Sequence, residues 1–272
     1  MSNNKKHNIM KQSAFSISNS WQTLKWMLLT NKQQLSVMAI GMAIGTFIVG
    51  EYIVGRSYIS INGTTQHGAL SVTLHFLFGL AYTLWMLYGA SRMFAFMKTK
   101  QSAITYMMHP ASDAEMFAAR LAYVSVAWAA VGGIGMLVGD LARWLLDTLL
   151  GGGAPMAIVQ MWRTMCIVSD SISQAGAPGT VAKMSAVSLL YSLWIYTLYI
   201  LGGAVFRRHR ILFTTIAVTV MHVSAVEHIT EAADMSAMGI AVLLGILCMA
   251  NVAAAYALFR RMQVINNKWL NI

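Results

Sequence analysis

The sequence predicts an all-α, polytopic membrane protein: six transmembrane helices, an amphipathic interfacial helix before them, and both termini cytoplasmic. Three observations carry this. Of 272 residues, 57% are hydrophobic and only 10% charged, against about a quarter charged in a soluble domain. Six apolar runs are long enough to cross roughly 30 Å of hydrocarbon, for which about 20 helical residues are needed. Lys and Arg also collect on alternate connections, as the positive-inside rule requires.

The N-terminal part, 1–34, is a polar leader carrying Lys5, Lys6, Lys11, Lys25 and Lys32. Its length, and the place of its charges ahead of the first apolar run, do not fit a cleavable secretory signal. Within it Ile17, Trp21, Leu24 and Leu28 recur at i, i+4, i+7 and i+11 on one helical stripe, with Gln22 and Lys25 off it. Trp21 and Trp26 suit the membrane interface, because an indole is apolar in body and polar at its N–H. A helix packed on the rest of the chain is the alternative.

The apolar runs fall at 35–55, 70–94, 117–139, 184–206, 211–227 and 236–258, so that 35–258 forms the transmembrane domain and 259–272 a tail. The fifth run is the weakest. It carries Thr214, Thr215, Thr219, His222 and Ser224 and spans only if these face other helices. Fifteen of the nineteen Lys and Arg lie in the leader, the 92–120 connection, the 207–210 turn and the tail. The other side holds Arg56, Arg143, Arg163 and Lys183, with seven of the nine acids. The net charge of +10 therefore reports topology, not nucleic acid, since no basic arm gathers it.

On the outer side, Asn62-Gly63-Thr64 marks a turn in a short loop and matches a glycosylation sequon. The longer outer segment, 140–183, opens on a stripe of Leu141, Trp144, Leu145 and Leu149. Asp140 with Arg143, and Arg143 with Asp147, are spaced for local pairing. A short helix lying on the outer surface is expected, ended by Gly151-Gly152-Gly153-Ala154-Pro155.

The connection between the second and third runs, cytoplasmic loop 95–116, contains the strongest local signal. Pro110 fixes its own φ and keeps His109 out of the helical region. Ser112 followed by Glu115 is a capping box, in which the hydroxyl accepts from the N–H of Glu115 and the carboxylate reaches back to the N–H of Ser112. The third helix therefore begins at about Ser112. Asp113 and Glu115 are the only acids on the basic side and stand in a first turn, where the helix dipole favours negative charge. The stretch is either a well-capped helix start or a docking element for a partner.

No catalytic machinery is legible, and the chain reads as non-enzymatic. The Gly-rich phosphate loop and the dinucleotide fingerprint are absent, so ATP-driven work requires a separate polypeptide. Cys166 and Cys248 form no framework. His222, Glu227, His228 and Glu231 cluster at the outer end of the fifth run and form a candidate metal or proton site without zinc-protease spacing. His75 is the strongly polar group deep in the second run, where an imidazole bonded to a neighbouring helix is the common outcome. No cofactor is implied. Gly41, Gly45, Gly132, Gly133 and Gly135 offer faces for close helix approach, and the 21 methionines read as core filling.

The run His109-Pro110-Ala111-Ser112-Asp113-Ala114-Glu115-Met116-Phe117 resembles the Pro-Ala-Ser-x-x-Glu-Lys-Phe signature of an uncharacterised family of six-helix Bacteroidetes membrane proteins, themselves similar to permease subunits of type 2 ABC exporters. Leu24 to Asn31 resembles that family's opening segment, and Leu258 to Ile265 with Lys268-Trp269 its closing one. Met116 departs from the signature's basic residue. The resemblance implies a permease-like subunit in a bacterial inner membrane, a homodimer working with a separate ATP-binding subunit. The interfacial helix and residues Pro110, Ala111, Ser112, Asp113, Glu115, Phe117 and Arg120 would then contact the ATPase. An accessory or immunity-type membrane protein that transports nothing is the alternative.

Overall fold

In the computed structural model, residues 15–51, 67–95, 101, 104, 108, 111–151, 156–159, 162, 163, 166, 170, 178–206, 209–231 and 237–261 are described. Every described element is helical. They are α1 Ile17–Thr30, α2 Lys32–Gly50, α3 His67–Ser91, α4 Asp113–Leu149, α5 Pro178–Val205, α6 Arg210–Glu231 and α7 Ala237–Arg261. Among the described residues, four stretches are long and apolar enough to cross a membrane: Lys32–Gly50, Asp113–Leu149, Ser185–Val205 and Met238–Arg261. Arg210–Val223 is a shorter apolar helix, and α3 occupies the place of the second expected run.

The expected short helix at the outer surface is not separate. α4 runs unbroken for 37 residues to Leu149, about 55 Å at 1.5 Å per residue, so 140–149 prolongs the third apolar run. Leu141, Leu145 and Leu149 lie exposed on that extension. Nothing between Gly139 and Leu149 breaks the helical hydrogen bonding. The break comes at Gly151, whose φ of 81° is the left-handed geometry that ends helices and that glycine adopts without a steric penalty. The N–H of Gly151 donates to the carbonyl of Thr148 at 3.2 Å. One turn of α4, Tyr123–Ala127, is π-helical.

The helices pack with consistent polarity. α2 runs parallel to α4, and two glycines of α4 let them close. A methyl group built on Gly135 would stand 2.8 Å from the carbonyl oxygen of Ala39, and one on Gly139 would strike that of Ala43. Gly132 faces Trp85 of α3 in the same way, whereas Gly41, Gly45 and Gly133 face open space. α3 runs antiparallel to α4: Trp85 Nε1 donates to the carbonyl of Trp128 at 2.9 Å, and Arg120 Nε to that of Met93 at 2.9 Å. α5 bridges α3, α6 and α7, with Tyr196 hydroxyl 3.2 Å from Ser125 Oγ of α4.

The main core sits at one end of the bundle. Met27, Met93, Phe94, Phe117, Tyr123, Trp128, Ile200 and Phe259 bury together there, drawn from α1, the turn after α3, α4, α5 and α7. This is also where α2, α4 and α6 begin and where α3, α5 and α7 end. Lys25, Lys32, Arg92, Arg120, Arg210, Arg260 and Arg261 therefore share one basic end. A smaller cluster of Phe78, Met136 and Ala157 lies toward the other end.

Candidate functional site

The start of α4 is built as its residues dictate. Ser112 takes an extended conformation at φ −68° and ψ 156°, and its Oγ accepts from the N–H of Glu115 at 3.3 Å. Glu115 Oε2 accepts in return from the N–H of Ser112 at 2.9 Å, completing the box. The other oxygen reaches a different helix. Oε1 accepts from the backbone N–H of Ser16 at 2.8 Å and from the Asn19 side-chain amide at 3.4 Å. One carboxylate thus serves the starts of both α1 and α4.

Glu115 is 0% exposed. It stands ahead of the 117–139 stretch read as the span. The backbone N–H of Ser112, then that of Ser16, hold its carboxyl below the ordinary 4.5 against the opposing effect of burial. A carboxylate enclosed by donors stays charged and is spent on them.

The expected docking residues therefore divide. Glu115 and Phe117 point inward, Phe117 edge-on to Tyr256 at 5.2 Å and tilted against Phe259 at 5.9 Å. Arg120 is half-buried, its Nε on the carbonyl of Met93 and its guanidinium 5.3 Å over the ring of Tyr123. Ala111 and Ser112 are half-buried and Asp113 is exposed; Pro110 lies outside the described residues. Glu115 does not offer its charge to a partner, because two helix starts already claim it.

α1 is packed on the protein through a face neighbouring the predicted stripe. Thr23 and Met27 are buried against the first part of α4, and Leu24 and Leu28 are half-buried beside them. Ile17 at 79% and Trp21 at 64% exposure remain outside, as do Lys25 and Trp26. The stripe is split: half of it joins the core and half is left on the surface. The joint to α2 is Asn31 alone, whose N–H and Nδ2 both donate to the carbonyl of Met27.

At the opposite end, His222 Nδ1 and the Tyr191 hydroxyl are 2.7 Å apart, joining α6 to α5. Glu227, His228 and Glu231 continue α6 as helix, but their side chains, like that of His75, lie outside the described residues. Among the described residues no group of three His, Cys, Asp or Glu is placed to hold a metal.

A second polar centre is more developed than its sequence suggests. Asp140 and Arg143 pair at 3.2 Å while 0% and 1% exposed. Asp140 Oδ1 also accepts from the N–H of Ala157 at 3.1 Å, and Oδ2 from that of Ile158 at 3.0 Å. The Arg143 stem crosses Gly50 of α2, where an added methyl group would meet its Cδ at 2.7 Å. The i, i+3 spacing marks the pair. Its burial follows from 156–159 folding back over it, for which the sequence carries no local signal.

The fold defines the class: among the described residues, an all-α protein built around apolar helices of membrane-spanning length, with one basic end and two buried carboxylates, Glu115 and Asp140, that fasten distant segments. No known protein family matches the chain. No curated protein matches it, and no solved structure does.

Proposed function

We propose that the chain is a six-span membrane subunit, both termini cytoplasmic, that works as the permease-like part of an ABC-type exporter in a bacterial inner membrane. A homodimer coupled to a separate cytoplasmic ATPase is the working unit. The observation that carries this reading is the joining of α1 to the start of α4 at the basic end. These are the two elements such a partner would touch, and Glu115 makes them one body. Lys25, Lys32, Arg260 and Arg261 around them suit a surface facing the cytoplasm. Because Glu115, Phe117 and Arg120 are occupied within the fold, contact falls to Asp113 and the outer side of α1.

The test is purification of the tagged protein from its native host in nanodiscs, with mass spectrometry of what accompanies it. A stoichiometric ATPase, lost in Asp113→Lys, supports the reading. The inward turn of the motif favours a second one, an accessory or immunity-type membrane protein that moves nothing. A protein accompanied only by non-ATPase partners, or by none, selects it.

A further inference from the structure

We propose that the Glu115 carboxylate is a latch between two helix starts, so that α1 and the first turn of α4 hold or release together. The inference stands whether or not an ATPase is the partner, because it concerns contacts within this chain.

A helix start leaves its first N–H groups without intrahelical acceptors. α4 meets that need with Ser112 and Glu115. α1 does not meet it from its own residues: Ser16 occupies its N-cap position and its side chain makes no capping bond. The start of α1 is held instead by Glu115, 99 residues away, through the backbone N–H of Ser16 and the amide of Asn19.

Among the described residues, little else ties that end of α1 down. Phe15 and Ile17 beside the latch are exposed, and the fully buried residues of α1, Thr23 and Met27, lie farther along it. At its far end a single residue, Asn31, separates it from α2. Lifting the first turn of α1 would uncover a carboxylate now closed from solvent and free the oxygen that fixes its orientation. The box at Ser112 depends on that orientation. Coupling of this kind is reciprocal, so a change on either helix is felt on the other.

Hydrogen exchange of the full-length protein in nanodiscs tests this, comparing wild type with Glu115→Gln and Asn19→Ala. Glu115→Gln should raise exchange in the first turns of α1 and α4 together, by about tenfold, the loss expected for hydrogen bonds to a charged group. Asn19→Ala, a change on α1 alone, should raise both by a smaller common factor, roughly threefold. Amides of α5 and α7 should keep wild-type protection in both variants. Unchanged exchange of α1 in Glu115→Gln overturns the proposal. So does a rise in Asn19→Ala confined to α1, which would mean separate helices. A rise spread through α5 and α7 also overturns it, since Glu115 would then support the whole bundle and no particular joint.

Discussion

Ser16 and Glu115 meet at 2.8 Å across 99 residues of sequence, and this bond places the leader helix against the bundle. It changes how the polar stretch after Pro110 is understood. A capping box normally closes on itself within four residues. Here the carboxylate has an oxygen to spare, and the spare oxygen is what brings α1 in.

The same geometry sets a pH dependence. Backbone N–H groups lower the Glu115 pKa from 4.5, so the native state binds this proton less readily than the unfolded chain does. The group's stabilisation is therefore complete above about 4.5 and is lost as pH falls through the lower folded value. The thermal midpoint of wild type minus that of Glu115→Gln, followed from pH 7 to pH 3, should shrink toward zero at the acid end. A difference that is flat or grows on acidification contradicts this account of the carboxylate.

How much of this was legible in the sequence depends on the range of the interaction. The start of α4 at Ser112, its box, the glycine stop after Leu149 and the helical class all rest on contacts within a few residues, and all appear as expected. Leu24 and Leu28 were legible as part of an apolar stripe, but the stripe cannot say which apolar residues meet protein and which meet the surroundings. The sequence leaves Glu115 open as either a cap or a docking charge, because its other donors come from Ser16 and Asn19, far along the chain. Asp140 and Arg143 are legible as a local pair, but their burial is not, because Ala157 and Ile158 that close over Asp140 lie 17 and 18 residues on. Gly41 and Gly45 look as suited to close packing as Gly135, yet only the orientation of α2 decides which glycines face α4.

Asp140 and Arg143 should respond unequally to substitution. Asp140→Ala removes a buried carboxylate that pairs with Arg143 and accepts from the N–H groups of Ala157 and Ile158, a loss on the order of 3–5 kcal/mol. Arg143→Met should cost less, because the Asp140 carboxylate keeps both backbone donors. Thermal unfolding of the two variants in one detergent checks the order, and equal or inverted losses would show that the arginine, not the aspartate, holds the 156–159 segment.

The arginine after the motif should resist its nominally conservative replacement. Arg120 places Nε on the Met93 carbonyl at 2.9 Å while its guanidinium lies over Tyr123, and a lysine ammonium cannot make both contacts from one planar group. Arg120→Lys should lower stability by about 1–2 kcal/mol. Exchange of the Arg92–Ala95 amides should rise with it. Wild-type protection there would mean that the turn after α3 is held by its own bonds.

Among the glycines the structure makes an asymmetric prediction that the sequence alone does not. Gly139 of α4 sits so close to the Ala43 carbonyl that a side chain there must push α2 away, and the displaced atom is backbone, which cannot rotate aside. Gly139→Val should therefore destabilise the fold by roughly 1–3 kcal/mol, the usual penalty for overpacking. Gly45→Val, on the face of α2 open to its surroundings, should stay within about 0.5 kcal/mol. Unfolding midpoints of the two purified variants compare them directly. If Gly45→Val proves the costlier change, α2 presents its other face to α4, and the parallel register of Ala39, Ala43 and Gly50 on Gly135, Gly139 and Arg143 is wrong.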